Sequence, residues 1–257
     1  MNEPVSKYIP EFEDLQVATS NTGKSLMEYD WGNREDACPI KLVPNDSIMT
    51  IRQLLTHEAG FYYANTGFSC LDSMMSVQNL PKSKNSEDLI KRIARLPLIQ
   101  HSGTKYFYGT NTTVLGLVAE RATNTSLKQL VEERMTGPLK IKGLQYGLPV
   151  NEKLLPKFTG RDSVLREAKS GELDIFGPDV PDYDMDHKLY LGGEGMLGTA
   201  DGYADFLRML LYRGELNGYR FLEKKSVEEM YAPQTQLDNP YGHDGYNLWV
   251  SGDSMRI

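Results

Sequence analysis

Four local patterns in this chain combine residue type and spacing in ways that could do chemistry. Ser102-Gly103-Thr104-Lys105 is its one S-x-x-K. On a helical turn that spacing puts a lysine over a serine hydroxyl and makes it a nucleophile for acyl transfer. Here the four residues straddle a glycine turn instead of opening a helix, so Lys105 is not expected over Ser102, and a turn is the preferred reading. Gly193-Glu194-Gly195-Met196-Leu197-Gly198 matches the G-x-G-x-x-G of dinucleotide loops. It comes late, with no second βαβ unit behind it, and reads as a tight turn that needs residues without a Cβ. His57 could be a general base, yet no serine or cysteine is placed around it by a motif, so a hydrogen-bonded structural histidine is expected. Tyr108 stands just ahead of a helical run, and a phenol there can lie against a serine and pass a proton. Tyr108 is the expected catalytic residue.

Caps and turns say which elements must position these groups. Thr50 and Gln53 form a capping box for a helix over 51–57, stopped by Gly60. Ser86 is expected to cap the next helix. Behind Tyr108, Leu115, Leu117, Val118 and Ala122 give the run to 123 an apolar face while Glu120 and Arg121 stay wet. Ser126 with Gln129 boxes a helix over 127–135, and Thr199 caps an amphipathic helix through Arg213. Asn217-Gly218 then turns the chain into a strand over 219–222, and Ser226 with Glu229 boxes a last short helix. Strands are expected at 15–18 and 26–29 around the turn Asn21–Lys24, at 188–191, and from Asn247 to Val250. Residues 33–46, with Pro39 and Pro44, read as loop. Residues 61–80 read as irregular with a helix in the second half, and 137–190 as a long connection of the kind that wraps a domain or borders a site.

Composition removes several function classes. The chain has 257 residues, 40% hydrophobic and 25% charged, as in an ordinary soluble globular protein. Lys+Arg 28 against Asp+Glu 35 gives a net charge of −7, and the basic residues are scattered, which argues against nucleic acid as a partner. No apolar run is long enough for a membrane span, and the first residues show no signal-peptide pattern. Cys38 and Cys70 could bridge in an exported protein but are read as two buried thiols. His57, His101, His187 and His243 are far apart, so no metal site is expected from spacing, and no cofactor is implied.

Taken together, four stretches resemble the β-lactamase-related serine hydrolases, a family of class C β-lactamases, DD-peptidases, esterases and transesterases. Pro4–Phe12 is similar to the segment that follows the family's nucleophile helix. Thr50–His57 with Gly60 is similar to its ITIRQLLTHTSG block. Gly103-Thr104 with Tyr108–Gly116 resembles its PGT…YS…LLG block, which carries the catalytic tyrosine. Gly192–Leu222 resembles its GGAGLxSTAxDxxxFxxMLLxxGxxxGxRxL block. The four run in the family's order across nearly the whole chain.

The resemblance implies an α+β serine β-lactamase/DD-peptidase-like fold, mainly its helical part with an incomplete antiparallel sheet. It implies acyl transfer on a small ester or amide through an acyl-serine, with Tyr108 relaying protons. Gly109 and Thr110 follow Tyr108 where the family has Ser and Asn, as in esterase-like members, so carboxylesters are expected ahead of β-lactams. The family's S-x-x-K serine lies upstream of the Pro4–Phe12 segment. Its KTG-like or HxG-like strand lies beyond a segment like Gly245–Val250. The expectation is one β-lactamase-related domain over 1–257 without those two elements, inactive by itself. The alternative is a non-catalytic binding module that lost its nucleophile and kept the pocket.

Overall fold

The computed structural model describes residues 1–160, 163–168 and 188–234. Its first layer grows around a two-stranded ladder. Strand β1 (Gln16–Ser20) pairs antiparallel with β2 (Ile40–Pro44), Val17 opposite Val43. A segment at Leu98 adds to the free side of β1 in parallel, Leu98 donating to the Gln16 carbonyl at 2.7 Å and accepting from Ala18 at 2.8 Å. This corrects the expected hairpin. The turn at Asn21–Lys24 exists, but Leu26–Glu28 is a 3-10 turn, and the partner of β1 comes from the stretch read as loop. Pro44 ends that strand, whose partly buried residues, Ile40 and Val43, do not alternate, so between two prolines it offered no period of two to read.

Helices pack on this ladder. Helix α1 (Ile51–Leu55) opens with the full capping box of Thr50 and Gln53. Helix α2 (Ser69–Gln78) occupies the second half of the stretch read as irregular. Helix α3 (Ser86–Ile93) is capped by Asn85, not Ser86: the Asn85 side chain accepts from Asp88, and Ser86 donates its hydroxyl to Glu120 instead. Helix α4 (Asn111–Thr123) is the run behind Tyr108 and buries Val114, Leu117 and Val118. Leu54 of α1, Leu89, Ile90 and Ile93 of α3 and these α4 residues share one core with Val5, Ile9, Phe12 and Val17.

Ser126 caps α5 (Leu127–Leu130), which runs into a π turn, Val131–Thr136, and the short α6 (Gly137–Leu139). Only half of the expected box forms there, because the Gln129 side chain reaches forward to Glu133. Strand β3 (Leu144–Tyr146) follows, then the β4 (Phe158–Thr159) and β5 (Arg166–Glu167) ladder. Strand β6 (Met196–Gly198) pairs antiparallel with β3. The expected strand at 188–191 is not regular. The glycines that were to follow it form the turn, and the strand comes after them. Thr199 caps α7 (Ala200–Leu211), accepting from Gly202. Strands β7 (Glu215–Leu216) and β8 (Tyr219–Arg220) meet through the Asn217-Gly218 turn, and α8 (Lys224–Tyr231) closes the described chain. Its N-cap is Glu223, so Ser226 and Glu229 lie inside the helix and form no box. The expected strand from Asn247 to Val250 lies outside the described residues.

Cys38 and Cys70 are joined by a disulfide across 32 residues, which corrects their reading as thiols. Spacing alone carries no information on pairing. In the fold, Cys38 lies just ahead of β2 and Cys70 in the first turn of α2. They border a second core of Leu26, Tyr62, Phe68, Leu71 and Ile99. Among the described residues, no helix is long and apolar enough to cross a membrane.

Candidate active site

The platform for Tyr108 is made by two backbone segments lying side by side. Residues 57–60 leave α1 and run along 99–107: Ile99 donates to Gly60 at 2.9 Å, Gly103 to Glu58 at 2.8 Å, and Phe107 to His57 at 2.8 Å. His57 makes this exit with φ 56°, the left-handed region that side chains with a Cβ seldom enter. Tyr108 follows directly on the last of these bonds, three residues ahead of α4.

Its ring lies on that of His57, centroids 4.9 Å apart and planes inclined by 19°. Tyr63 approaches the same phenol at 5.7 Å, and Tyr106 approaches the imidazole at 5.8 Å. Tyr108 is 45% exposed, more open than the three rings around it. Beneath them Asn111 is fully buried, its Nδ2 3.2 Å from His57 Nδ1 and 3.5 Å from the Phe107 carbonyl. Gly109 presses on the backbone of Phe61 and Tyr62.

The glycine turn arrives at this group from the far end of the chain. A Cβ on Gly192 would stand 3.0 Å from the Gly116 nitrogen, and one on Gly193 would stand 2.8 Å from the Thr112 hydroxyl. Only the first part of the run is a turn, lying on the first turns of α4 between Leu191 and β6; its Met196–Gly198 is β6 itself. Two small residues, Gly116 and Gly192, permit that contact.

Burial sets the charge state of the surroundings. It lowers the His57 pKa below the ordinary imidazole value. It raises the Tyr63 phenol well above the usual tyrosine range, with Tyr108 and Glu194 adding to the shift. It also raises the Glu194 carboxyl. The half-exposed phenol therefore rests on an uncharged aromatic bed.

Ser102 is placed differently. It is 4% exposed, donates to the Ala59 carbonyl at 2.9 Å, and accepts from Asn45 Nδ2 at 3.1 Å. Its hydroxyl holds the turn, while Lys105 is exposed. Sequence reasoning singled out Tyr108 and His57 separately but missed Tyr63 and Asn111 as their neighbours, and Glu194 as the carboxyl that acts on Tyr63. Tyr63 sat in an aromatic run without period, and Asn111 looked like an ordinary polar residue of a helix start.

The fold is that of an α+β protein of the serine β-lactamase and DD-peptidase type. The family model described as Beta-lactamase matches residues 1–256, and the chain belongs to that family. Protein Rv1367c of Mycobacterium tuberculosis is 30% identical over 252 residues, 97% of this chain and 57% of that protein. ML-236A carboxylate methylbutanoyltransferase of Penicillium citrinum is 25% identical over 235 residues, 91% of this chain and 50% of its own. The unliganded simvastatin synthase of Aspergillus terreus matches in fold with a TM-score of 0.67 at 22% identity, over 98% of this chain and 56% of that one. The chain thus spans about half the length of the curated relatives it matches.

Proposed function

We propose that this chain carries the helical part and the proton-relay tyrosine of a serine acyl-transfer enzyme acting on small esters or amides. Carboxylesters stand ahead of β-lactams as substrates. The observation that carries the proposal is the setting of Tyr108. It is an accessible phenol fixed ahead of α4 on neutral rings, at the position the family's motif gives its catalytic tyrosine. The name of the Penicillium citrinum relative, a methylbutanoyltransferase, supports acyl-transfer chemistry.

In this reading a serine hydroxyl attacks the substrate carbonyl, and its proton passes to the lysine–tyrosine pair. Backbone N–H groups hold the oxyanion. The leaving alcohol or amine takes a proton from Tyr108 as its bond to the acyl carbon breaks. Water or a second alcohol then releases the acyl group from the serine. Ser102 is not that serine, because its hydroxyl is spent on the Ala59 carbonyl.

The 257-residue polypeptide is expected to show no turnover of a chromogenic ester or a chromogenic cephalosporin. The protein encoded by the whole reading frame is expected to hydrolyse the ester and to lose at least a hundredfold in kcat with Tyr108→Phe (about the size of a general acid–base contribution). Turnover by the 257-residue chain that disappears in Ser102→Ala would overturn the proposal. An in-frame S-x-x-K upstream of Met1 separates the enzyme from a binding module that lost its nucleophile.

A further inference from the structure

We infer that His57 is a positioning residue for Tyr108: a neutral imidazole, protonated on Nε2 and locked by Asn111, whose face fixes the plane of the phenol. The inference rests on the reading of Tyr108 as the proton relay, and it assigns no proton transfer to His57 itself.

The tautomer follows from acceptor and donor geometry. Asn111 Nδ2 lies within reach of two atoms, His57 Nδ1 at 3.2 Å and the Phe107 carbonyl at 3.5 Å. A carbonyl only accepts, so the atom facing it is the amide nitrogen, and its second hydrogen goes to His57 Nδ1. That nitrogen therefore holds a lone pair, and the ring proton sits on Nε2. The reversed amide would set two acceptor oxygens against each other beside Phe107. It would also bury N–H donors where Asn111 Oδ1 now finds no partner among the described residues. Protonating Nδ1 would break the bond to a fully buried Asn111, where a polar group left unpaired is costly. Burial of the ring acts in the same direction. Among the described residues, the Tyr106 and Tyr108 phenols and the Asn111 amide face the imidazole. The neighbouring Glu58 carboxylate accepts from the Thr56 hydroxyl at 2.7 Å.

The backbone makes the same case. His57 holds a left-handed conformation, and its carbonyl accepts from Phe107, the residue before Tyr108. One residue is thus tied to the Tyr108 segment three ways: through its carbonyl, through Asn111 on α4, and through the ring stack. A left-handed non-glycine residue costs free energy that the surroundings must offset, and such residues gather at sites where orientation matters. A small displacement of a catalytic group lowers rate out of proportion to any loss of stability.

The test uses the 257-residue chain with ¹⁵N-labelled histidine and ¹³Cζ-labelled tyrosine, the Tyr108 signal being assigned by Tyr108→Phe. The expected spectrum has His57 Nδ1 at the unprotonated position and Nε2 at the protonated one from about pH 8 down to below the ordinary midpoint near 6.5. His57→Asn keeps a residue that tolerates the left-handed region and removes the ring. It should move the Tyr108 signal to that of an exposed tyrosine, with Tyr106 and Tyr63, whose rings touch His57 and Tyr108, shifting too, while the remaining tyrosine signals stay. His57→Phe keeps a ring to stack and should move it less. A His57 that is protonated on Nδ1, or a Tyr108 signal unmoved by His57→Asn, overturns the inference. Should His57→Asn fail to fold, the tautomer in the parent chain still decides. In the protein encoded by the whole reading frame, His57→Asn should lower kcat about tenfold or more with KM little changed. Unchanged turnover in Tyr108→Phe would instead sink the relay reading while leaving the tautomer result standing.

Discussion

Gly109 lies so close to Phe61 that a Cβ there would overlap the Phe61 carbonyl oxygen and stand 2.5 Å from Tyr62 Cα. Both obstacles are backbone atoms, which cannot swing aside as a long side chain can. The residue after Tyr108 is therefore glycine for want of space, and the contact pins the Tyr108 segment to the strand-like exit from α1. Gly109→Ala should destabilise the fold by about 1–3 kcal/mol, the usual size of an overpacking penalty. Gly109→Ser, which introduces the residue the family places there, should cost at least as much. A urea midpoint equal to the parent's would show that the Phe61 backbone yields.

Ser102 offers the sharpest contrast between a motif and its setting. Its hydroxyl is buried between the Ala59 carbonyl and the Asn45 amide. Ser102→Ala leaves both without that partner, and a buried polar group so stranded costs about 1–3 kcal/mol. The melting temperature should fall, while turnover per folded molecule in the complete protein should not change. Full stability together with lost turnover would reverse the assignment.

How much of this was legible in the sequence depends on the range of the interaction. Local devices were readable: the Thr50–Gln53 box, the Thr199 cap, the Asn217-Gly218 turn and the helix behind Tyr108 all lie where their residues place them. The caps and the turn are decided within four residues, and the helix by a period within its own span. The pairing of β1 with β2 was not readable, because a hairpin signal at Asn21–Lys24 competed with a strand framed by prolines. Only burial of Val17 and Ala18 against distant chain resolves that competition. The site behaved likewise. Tyr108 stood out by its helix and its motif, whereas Tyr63 reaches Tyr108 from far upstream, Asn111 reaches His57 across 54 residues and Glu194 acts on Tyr63 from the far end of the chain, with no period linking them. Asn111 was close in sequence and still unreadable, since its role appears only when His57 arrives from α1.

The disulfide gives a third prediction. Cys38–Cys70 closes a loop of 32 residues that contains β2, α1, His57 and Tyr63. Cross-linking removes conformations from the unfolded chain, and a loop of this size is worth about 2–4 kcal/mol. Reductant should lower the melting temperature of the parent chain, and Cys38→Ser with Cys70→Ser should melt like the reduced protein. Alkylation of the unfolded, unreduced chain should label no cysteine. Two labelled thiols, or a melt indifferent to reductant, would speak against the bridge.

Glu194 and His57 should impose opposite slopes on stability against pH. The unfolded Glu194 carboxyl ionises near 4.5, and burial makes the folded one hold its proton to higher pH. Between those two values the folded chain binds more protons than the unfolded chain, so stability falls as pH rises through that window. For His57 the order is reversed. The unfolded imidazole takes a proton near 6.5 and the folded one only at lower pH. As pH falls through 6.5 the unfolded chain gains protons first, and stability falls with it. Glu194→Gln removes the first slope alone, so the variant should gain on the parent as pH rises from about 4 to neutrality, once the parent carboxyl must ionise or stay protonated at a cost. His57→Asn removes the second alone and should flatten the loss on acidification below the imidazole midpoint. Urea midpoints across this range for the parent and the two variants separate the contributions. A parent and a Glu194→Gln variant that keep a constant difference at every pH would show that the carboxyl titrates alike in both states, and the burial argument at the glycine turn would fail.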